Sequence, residues 1–316
     1  MELLIGTSGW SYDDWVGNFY PERLRNAKNQ WLEFYGSYLS TVEINSTFYR
    51  MPEEFVVNSW IKKTAEFDKF EFSLKLPQLV THEAIVKDSG EKAAQIARSF
   101  EKKCINPLAE NKLLGAVLIQ LSPYFRRTDP KSKADNLPKL RRLLEVINTS
   151  EYNYAAEFRH SSWLNPQRND LGPETIDLLK EFNVANCLLD GPGFPRTRTD
   201  TATHGYVRFH GRNRDIWFKG RKADKMSDEY KAEAGATTGD TRMNRYDYLY
   251  TVEELQGWLE RLNKYQESKG TKARIYFNNH PNAQAVKNAF MLMDLMGMPR
   301  KPMDVKLQKQ VKLESF

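Results

Sequence analysis

Two glutamates, Glu43 and Glu157, stand close to the ends of apolar, strand-like runs of the sequence. A carboxylate in such a place can act as a general base or bind a metal ion. His210 ends a third run of this kind, and a histidine can exchange protons near neutral pH. Because a buried charge is costly unless it is paired or used, we predict that these three side chains are catalytic.

Cationic, amide and hydroxyl side chains follow other apolar runs. Lys75, Arg159 and Arg208 could clamp a phosphate or carboxylate group, and the amides could hydrogen-bond to a sugar or to a base edge. The predicted substrate-binding residues are Thr7, Ser8, Trp10, Asn45, Tyr49, Lys75, His82, Gln120, Arg159, Asp190, Arg208, Asn278 and Asn279. Trp10 and Tyr49 could stack on a ring of the substrate, although packing beneath the loops would explain them equally well.

Eight runs of strand length must position these side chains. They are Leu3–Thr7, Thr41–Asn45, Phe70–Leu76, Gly115–Leu121, Tyr152–Phe158, Val184–Asp190, Gly205–His210 and Ala273–Asn278. Most are rich in Val, Ile, Phe and Tyr or apolar throughout, as strands buried on both faces are. Segments with helical spacing lie between them, such as the one that carries Leu140, Leu143, Leu144 and Ile147. This alternation predicts a parallel sheet, and eight units predict closure into an α/β, TIM-like (β/α)8 barrel.

Two connections depart from a regular barrel. Only residues 191–204 separate the sixth strand from the seventh, and they are rich in Pro, Gly, Arg and Thr, so we predict that helix 6 is short or missing. A long polar insertion is predicted after the seventh strand, at about residues 211–250, and its basic residues include Lys219, Arg221, Lys222 and Lys225. The predicted organisation is one barrel domain, residues 1–298, followed by a basic C-terminal tail, residues 299–316.

The predicted site lies at the carboxyl-terminal ends of the strands, because barrel enzymes carry their active sites there. Alternation along each strand places the following pairs on one face: Glu43 with Asn45, Ser73 with Lys75, Leu118 with Gln120, Glu157 with Arg159, Leu188 with Asp190, Arg208 with His210, and Tyr276 with Asn278. The first strand ends instead in Gly6-Thr7-Ser8-Gly9, which could bring backbone N–H groups close to a ligand.

The overall charge and the segment types constrain the partners. The chain of 316 residues carries a net charge of +6, which favours anionic partners such as phosphates or nucleic acid, although a solubilising surface explains it as well. It contains no apolar stretch of about 18 residues and no signal-peptide pattern, so we predict a cytoplasmic protein with no membrane partner. Cys104 and Cys187 are predicted to be small buried hydrophobes.

A divalent metal is an open alternative to a site made of protein groups alone. Glu43, Glu157, Asp190 and His210 could together hold one ion, but no HxH or HExxH spacing supports such a site. We therefore predict no cofactor. The chain also lacks a GxGxxG motif after a strand, a Walker A motif and a GxSxG elbow, so hydrolysis by a Ser–His–Asp triad is unsupported.

At these same residues the chain resembles the DUF72 (YecE-like) family of uncharacterised barrel proteins. The matching stretches run nearly end to end: Ile5–Tyr12, Phe19–Pro21, Thr41–Tyr49, Lys75 with Pro77, Thr81–His82, Gln120–Leu121 with Pro123, Glu157–His160 with Ser162–Trp163, Arg208–Gly211, and Tyr276–Asn279. The resemblance implies a TIM-like barrel and does not imply a reaction. The chain departs from the family pattern at Ser122, where a proline is usual, and in the enlarged insertion, which could alter substrate access.

Three functional hypotheses follow from these residues. The first is an enzyme, a hydrolase or lyase with carboxylate acid/base chemistry, that acts on a phosphate-bearing substrate such as nucleic acid or a sugar phosphate. The second is a non-catalytic nucleic-acid-binding protein, whose binding would weaken steeply with salt and survive the loss of Glu43 and Glu157. The third is a metal-dependent hydrolase or isomerase. The expected partner is an anionic small molecule or nucleic acid, and the sequence does not determine the oligomeric state.

Overall fold

Parallel strands form one sheet in the computed structural model, which describes residues 2–87, 90–213, 245–267 and 272–303. Within these residues the strands are β1 (Glu2–Ser8), β2 (Thr41–Ile44), β3 (Glu71–Lys75), β4 (Leu114–Gln120), β5 (Tyr154–Glu157), β6 (Ala185–Asn186), β7 (Leu188–Asp190), β8 (Gly205–Phe209) and β9 (Lys272–Phe277). Their order in the sheet is β6-β5-β4-β3-β2-β1-β9-β8-β7. Neighbours therefore follow the chain order, as in a barrel built by repeated right-handed crossovers.

The barrel closes at the sixth predicted strand. Its two pieces, β6 and β7, are the end strands of the sheet, and only Cys187 separates them. The first piece, β6, pairs with β5, and the second piece, β7, pairs with β8. The TIM-like barrel is thus confirmed, with the single strand predicted at Val184–Asp190 divided in two.

A side chain explains this division. Thr201 Oγ1 accepts a hydrogen bond from the backbone N–H of Asn186 at 2.7 Å and donates one to the carbonyl oxygen of Val184 at 2.6 Å. These are backbone groups on the edge of β6 away from β5, where β8 would otherwise bind. Because the threonine satisfies them, β6 needs no second strand as a partner.

Helices alternate with the strands around the barrel. The described α-helices are α1 (Trp31–Gly36), α2 (Ser46–Tyr49), α3 (Glu54–Thr64), α4 (Gly90–Phe100), α5 (Asn106–Glu110), α6 (Leu137–Val146), α7 (Pro173–Glu181), α8 (Val252–Glu267) and α9 (Gln284–Leu295). Each of the longer ones buries an apolar face, as α6 does with Leu140, Leu143 and Leu144. None of the described helices combines the length and apolarity needed to cross a lipid bilayer.

Most of the buried apolar residues that the structure describes belong to two clusters. The larger one contains helix residues together with every second strand residue, such as Val117 and Ile119 of β4, and so lies between the barrel and its helices. The smaller one fills the barrel interior with Ala116, Leu118, Ala155, Ala185, Cys187, Leu189, Tyr206 and Tyr276. Several of these residues are small, which leaves space inside the barrel for larger polar side chains near the strand ends.

The irregular connections agree with the prediction where they are described. Residues 191–204, all of them described, form turns and bends without a helix, so helix 6 is missing. Most of the predicted insertion, residues 214–244 with its basic cluster Lys219, Arg221, Lys222 and Lys225, lies outside the described residues. The same is true of residues 304–316 in the predicted tail.

Gly6 lies in β1 where β2 approaches closely. A Cβ atom at this position would lie 2.1 Å from the backbone carbonyl oxygen of Thr41, which cannot move aside without shifting β2. We therefore expect Gly6→Ala to lower the free energy of unfolding by about 3 kcal/mol, measured by urea unfolding.

Gly257 in α8 supplies the matched control for this substitution. A Cβ atom there would meet no other atom within 4 Å. Gly257→Ala should therefore be neutral or stabilise the protein by up to about 1 kcal/mol, since alanine is the better helix former. Equal stabilities of the two variants would contradict the close approach of β1 and β2.

Candidate active site at the barrel mouth

One guanidinium group joins the two glutamates that the sequence marks as catalytic. Arg208 of β8 is fully buried inside the barrel. Its Nη2 donates to Glu43 Oε1 at 2.7 Å, and its Nη1 donates to Glu157 Oε2 at 2.5 Å. Both carboxylates are fully buried as well. The strand ends of β2, β5 and β8 therefore meet in one ion-paired unit, which we call the Arg208 network.

Glu43 is held on both of its oxygen atoms. Ser8 Oγ donates to Oε1 at 2.8 Å, and the Tyr206 hydroxyl donates to Oε2 at 2.6 Å. Burial, followed by the nearby charge of Glu43, raises the pKa of Tyr206 well above its usual value, so this hydroxyl keeps its proton. Glu43 thus accepts hydrogen bonds from three sides and has little freedom to turn.

Glu157 carries the strongest electrostatic perturbation in the Arg208 network. It accepts from Gln120 Nε2 at 2.8 Å and from Arg159 Nε, in addition to Arg208. Burial alone would raise the pKa of Glu157. The charges of Arg159 and Arg208, and then those of His210 and Lys75, outweigh burial and hold the pKa well below its ordinary value. Glu157 is therefore ionised at neutral pH.

His210 lies beside the ion pair of Glu157 and Arg208. Its Nε2 is 4.0 Å from Glu157 Oε2 and 3.5 Å from Arg208 Nη1. On its other side, Nδ1 lies 3.1 Å from the side-chain nitrogen of Asn278. The imidazole ring packs on Phe194, with 4.8 Å between the ring centroids. This arrangement sets an imidazole within reach of a carboxylate after only a small shift.

Two further cations reach the same end of the barrel. The buried Lys75 places its Nζ 4.4 Å from the centre of the Phe48 ring, and Arg159 lies over Phe194 at 4.9 Å. Only 7% of the Arg159 side chain is exposed. We call the ends of β1 to β5, β8 and β9 with these side chains the barrel mouth. Its described core brings the side chains of Lys75, Arg159 and Arg208 together with the carboxylates of Glu43 and Glu157.

The structure thus unites most of the predicted site residues. The Arg208 network and its immediate neighbours comprise Ser8, Glu43, Gln120, Glu157, Arg159, Arg208, His210 and Asn278. Lys75 lies close enough to lower the pKa of Glu157. Asn45 follows β2 directly and is 5% exposed.

Asp190 faces the outside of the barrel, which corrects its predicted place in the mouth. Its carboxylate accepts two hydrogen bonds from Arg212, at 2.8 and 2.6 Å. It also accepts from the Tyr250 hydroxyl at 2.9 Å and from Trp258 Nε1 at 2.8 Å. Leu189, its neighbour, is the residue that points into the interior. Leu188 and Asp190 share one face, as predicted, but this face is the outer one and not the mouth.

Thr7 and Asn279 also bind to the helical layer instead of the mouth. Thr7 Oγ1 is bonded to the hydroxyl of Tyr35 in α1 at 2.9 Å. The Asn279 amide donates to Asn288 of α9 at 2.8 Å and to the carbonyl oxygen of Tyr248 at 2.6 Å. Each side chain therefore fastens a strand end to a neighbouring helix or loop.

The backbone after β1 makes its bonds within the protein. The N–H of Gly9 donates to the carbonyl oxygen of Glu43 at 2.8 Å, and the N–H of Thr7 donates to the Tyr35 hydroxyl at 3.0 Å. Gly9 has a φ of +93°, a conformation that favours glycine. The predicted approach of these groups to a ligand is therefore wrong, because they join β1 to β2 and α1.

The aromatic and histidine residues of the loops divide between packing and the mouth. Trp10 packs edge-on against Trp60 of α3, at 6.4 Å between ring centroids, which is the packing explanation for this residue. Tyr49 and His82 both lie against Phe48, at 5.1 and 5.0 Å. Phe48 is also the ring beneath the lysine ammonium group, so Tyr49 and His82 border the mouth.

The proposed metal ligands do not form one set. The carboxylate of Asp190 is bonded outside the barrel, and the guanidinium of Arg208 stands between Glu43 and Glu157. Within the described ranges, no three His, Cys, Asp or Glu side chains are grouped so that they could hold a metal ion. An arginine between two carboxylates takes the electrostatic place that a divalent cation would have.

Two residues of the site were missed in the sequence. Tyr206 shares the inward face of β8 with Arg208. It precedes Arg208 by two residues, so the alternation used for the strand ends would have identified it if extended by one step. Phe194 lies in the stretch after β7, between His210 and Arg159. No periodicity marks this residue, because its position depends on a loop without regular structure.

Comparison of the chain with known protein families identifies its family. A family described as "Protein of unknown function DUF72" matches residues 4–312 of the chain. The chain belongs to this family. The UPF0759 protein YunF of Bacillus subtilis (strain 168) is 25% identical over 300 residues, which cover 93% of this chain and 94% of YunF. The UPF0759 protein YecE of Escherichia coli (strain K12) is 29% identical over 158 residues, about half of each protein.

Solved structures of DUF72 family proteins share the fold. The crystal structure of TM1631 from Thermotoga maritima MSB8 is similar with a TM-score of 0.72 and 28% identity, over 94% of this chain and 100% of that one. The structure of EF0366 from Enterococcus faecalis V583 has a TM-score of 0.69 at 22% identity, over 96% of this chain and 98% of that one. The names of these relatives specify no reaction.

The low pKa of Glu157 predicts a pH-dependent part of the stability. An unfolded glutamate has a pKa of about 4.3, and the folded value lies well below its ordinary range. The stabilisation is therefore complete above about pH 4.3 and is lost as the pH falls toward the folded pKa. We expect Glu157→Gln to melt below wild type at pH 7, and the gap between them to narrow below about pH 4.

Glu22→Gln is the control for this experiment. Glu22 is exposed and pairs with Arg25 on the surface, so its loss should change the melting temperature very little. Differential scanning calorimetry between pH 7 and about pH 3.5 measures all three proteins. A gap between wild type and Glu157→Gln that stays constant over this range would contradict the low pKa.

Proposed function

We propose that the protein is an enzyme that acts on an anionic, phosphate-bearing substrate at the barrel mouth. The observation that carries this proposal is the meeting of Lys75, Arg159 and Arg208 around Glu157 at this end of the barrel. Cationic side chains gathered at a partly open site favour the binding of an anion. Arginine forks bind phosphate oxygens in pairs, which favours a phosphate group as that anion.

Arg159 is the residue at which such a group would enter. Its side chain is 7% exposed, whereas that of Arg208 is fully buried behind it. An incoming phosphate would compete with Glu157 for the Arg159 guanidinium. Lys75 lies at the same end of the barrel and would add a point charge to the phosphate.

Binding in this manner would prepare Glu157 for proton transfer. Arg159 makes the largest charge contribution to the low pKa of Glu157. A phosphate that takes up part of this charge would raise the pKa of the carboxylate and make Glu157 a stronger base. His210, 4.0 Å away, would take the complementary role of acid. Glu43, held by Ser8 and Tyr206, would keep Arg208 in place.

The reaction class that fits these groups is hydrolysis or elimination by acid/base catalysis. Both need a base and an acid near a phosphate, and neither needs an electron carrier. We also propose a cytoplasmic location, for which the sequence supplies the support. The alternative of non-catalytic nucleic-acid binding was suggested by the basic cluster after β8. This cluster lies outside the described residues, so no described contact favours the alternative over an enzyme.

Calorimetric titration with phosphate esters tests this proposal. Arg159→Ala should weaken the binding of any ester that binds wild type by at least about tenfold, because a charge-assisted pair is lost. Glu157→Gln should retain or strengthen binding, since the competing carboxylate is gone, yet abolish turnover. Arg141→Ala is the matched control: Arg141 pairs with Glu181 on the surface, so its loss changes the net charge equally and should leave binding intact.

Two results would contradict an enzyme of this kind. If inorganic phosphate, sugar phosphates and nucleotides all failed to bind wild type, the anion site would be wrong. If oligonucleotides alone bound, with steep salt dependence and equal strength in Glu157→Gln, the non-catalytic alternative would replace it.

A further inference from the structure

Asn45 is a buried amide without a hydrogen-bond partner among the described residues. It follows β2 and is 5% exposed, and within these residues neither its Oδ1 nor its Nδ2 is bonded. A buried polar group left in this condition destabilises the folded state. This amide lies at the carboxyl end of a barrel strand, where barrels of this class bind their ligands, so we take it as a candidate ligand contact.

Asn278 has one open atom of the same kind. Its nitrogen lies beside His210, while its buried Oδ1 has no partner in the part of the chain that the structure describes. The sheet order places β2 and β9 on the two sides of β1. The two amides thus flank the strand that ends in Ser8, and together they present one open donor and two open acceptors.

These open atoms restrict the ligand further than the charges do. A phosphate dianion offers acceptors only, so it could satisfy the nitrogen of Asn45 but neither oxygen. The rest of the ligand must therefore carry hydrogen-bond donors. A cationic amine is disfavoured by the neighbouring Arg159 and Arg208, whereas a hydroxyl group donates, accepts and adds no charge.

We propose that the substrate is a phosphate ester of a polyhydroxylated compound, such as a sugar phosphate, and that Asn45 and Asn278 bind its hydroxyl groups. This proposal rests on the proposed function for the position of the phosphate. Asn45 is then a residue that determines specificity, and its open amide is a stability cost that the ligand removes.

The first test needs no ligand. Leucine has the shape of asparagine without its polar atoms, so Asn45→Leu should raise the melting temperature of the free protein by about 2 °C. Asn186→Leu is the matched control. Asn186 is equally buried, but it donates to the carbonyl oxygen of Thr199 and accepts from Thr197, so its replacement should lower the melting temperature. If the melting temperatures of both variants fell, the inference that the Asn45 amide is unsatisfied in the free protein would be wrong.

The second test compares four probes by calorimetric titration: inorganic phosphate, phenyl phosphate, ribose 5-phosphate and 2′,3′-dideoxyadenosine 5′-phosphate. Ribose 5-phosphate should bind wild type more tightly than the other three. Asn45→Leu should reduce this advantage about tenfold, whereas the affinity for inorganic phosphate, which Arg159 holds, should change much less. Equal binding of phenyl phosphate, or tighter binding of the dideoxynucleotide, would overturn recognition of hydroxyl groups.

The two proposals fail in different ways. If no probe binds wild type while Asn45→Leu still melts at a higher temperature than wild type, the proposed phosphate site is wrong, whereas the unsatisfied state of the Asn45 amide is supported. If inorganic phosphate binds through Arg159 but ribose 5-phosphate gains nothing from its hydroxyl groups, the proposed function stands and the hydroxyl recognition is wrong.

Discussion

The ion-paired contact of Arg208 with Glu43 and Glu157 is the interaction on which the barrel mouth depends. Three charges from β2, β5 and β8 are removed from water in one place, and each would be costly alone. They are tolerated because every charge has an opposite neighbour, and hydrogen bonds from Ser8, Tyr206 and Gln120 add to these ion pairs. Removal of one member of such a buried group typically costs about 3–5 kcal/mol. The strand ends are therefore held together by the same groups that carry the proposed chemistry.

The barrel interior is built to hold this contact. Many barrels of this class fill the interior with branched aliphatic side chains, but here alanines of β4, β5 and β6 leave space inside. Below the mouth, the Tyr276 hydroxyl bonds to Thr41 and Ser73 at 2.7 and 2.8 Å. Further down, Arg274 donates to Glu71 at 2.9 Å. Polar contacts thus run through the interior in layers, and the mouth is the layer in which Lys75, Arg159 and Arg208 meet around Glu157.

The sequence was sufficient for the barrel and for the strands that supply the site, because buried parallel strands and helical spacing leave clear patterns. The sequence was insufficient where a single side chain determines how a strand is paired or which face of it a residue occupies. The side chain of Thr201 divides the sixth strand, and Asp190 lies on the outer face because it follows Leu189 by one residue. The pairing of Arg208 with two glutamates from distant parts of the chain also has no local signal, since it depends on closure of the barrel.

The division of the sixth strand gives the barrel a seam. At every other junction in the described sheet, main chain binds main chain in a parallel ladder. Beside β6, the free edge of the strand is instead satisfied by the hydroxyl of Thr201, which is part of a side chain. Most substitutions leave a main-chain ladder in place, whereas a single substitution can delete a hydroxyl. Replacement of Thr201 by a residue without a hydroxyl would therefore remove the bonds of two backbone groups at once, which substitutions along the other ladders seldom do.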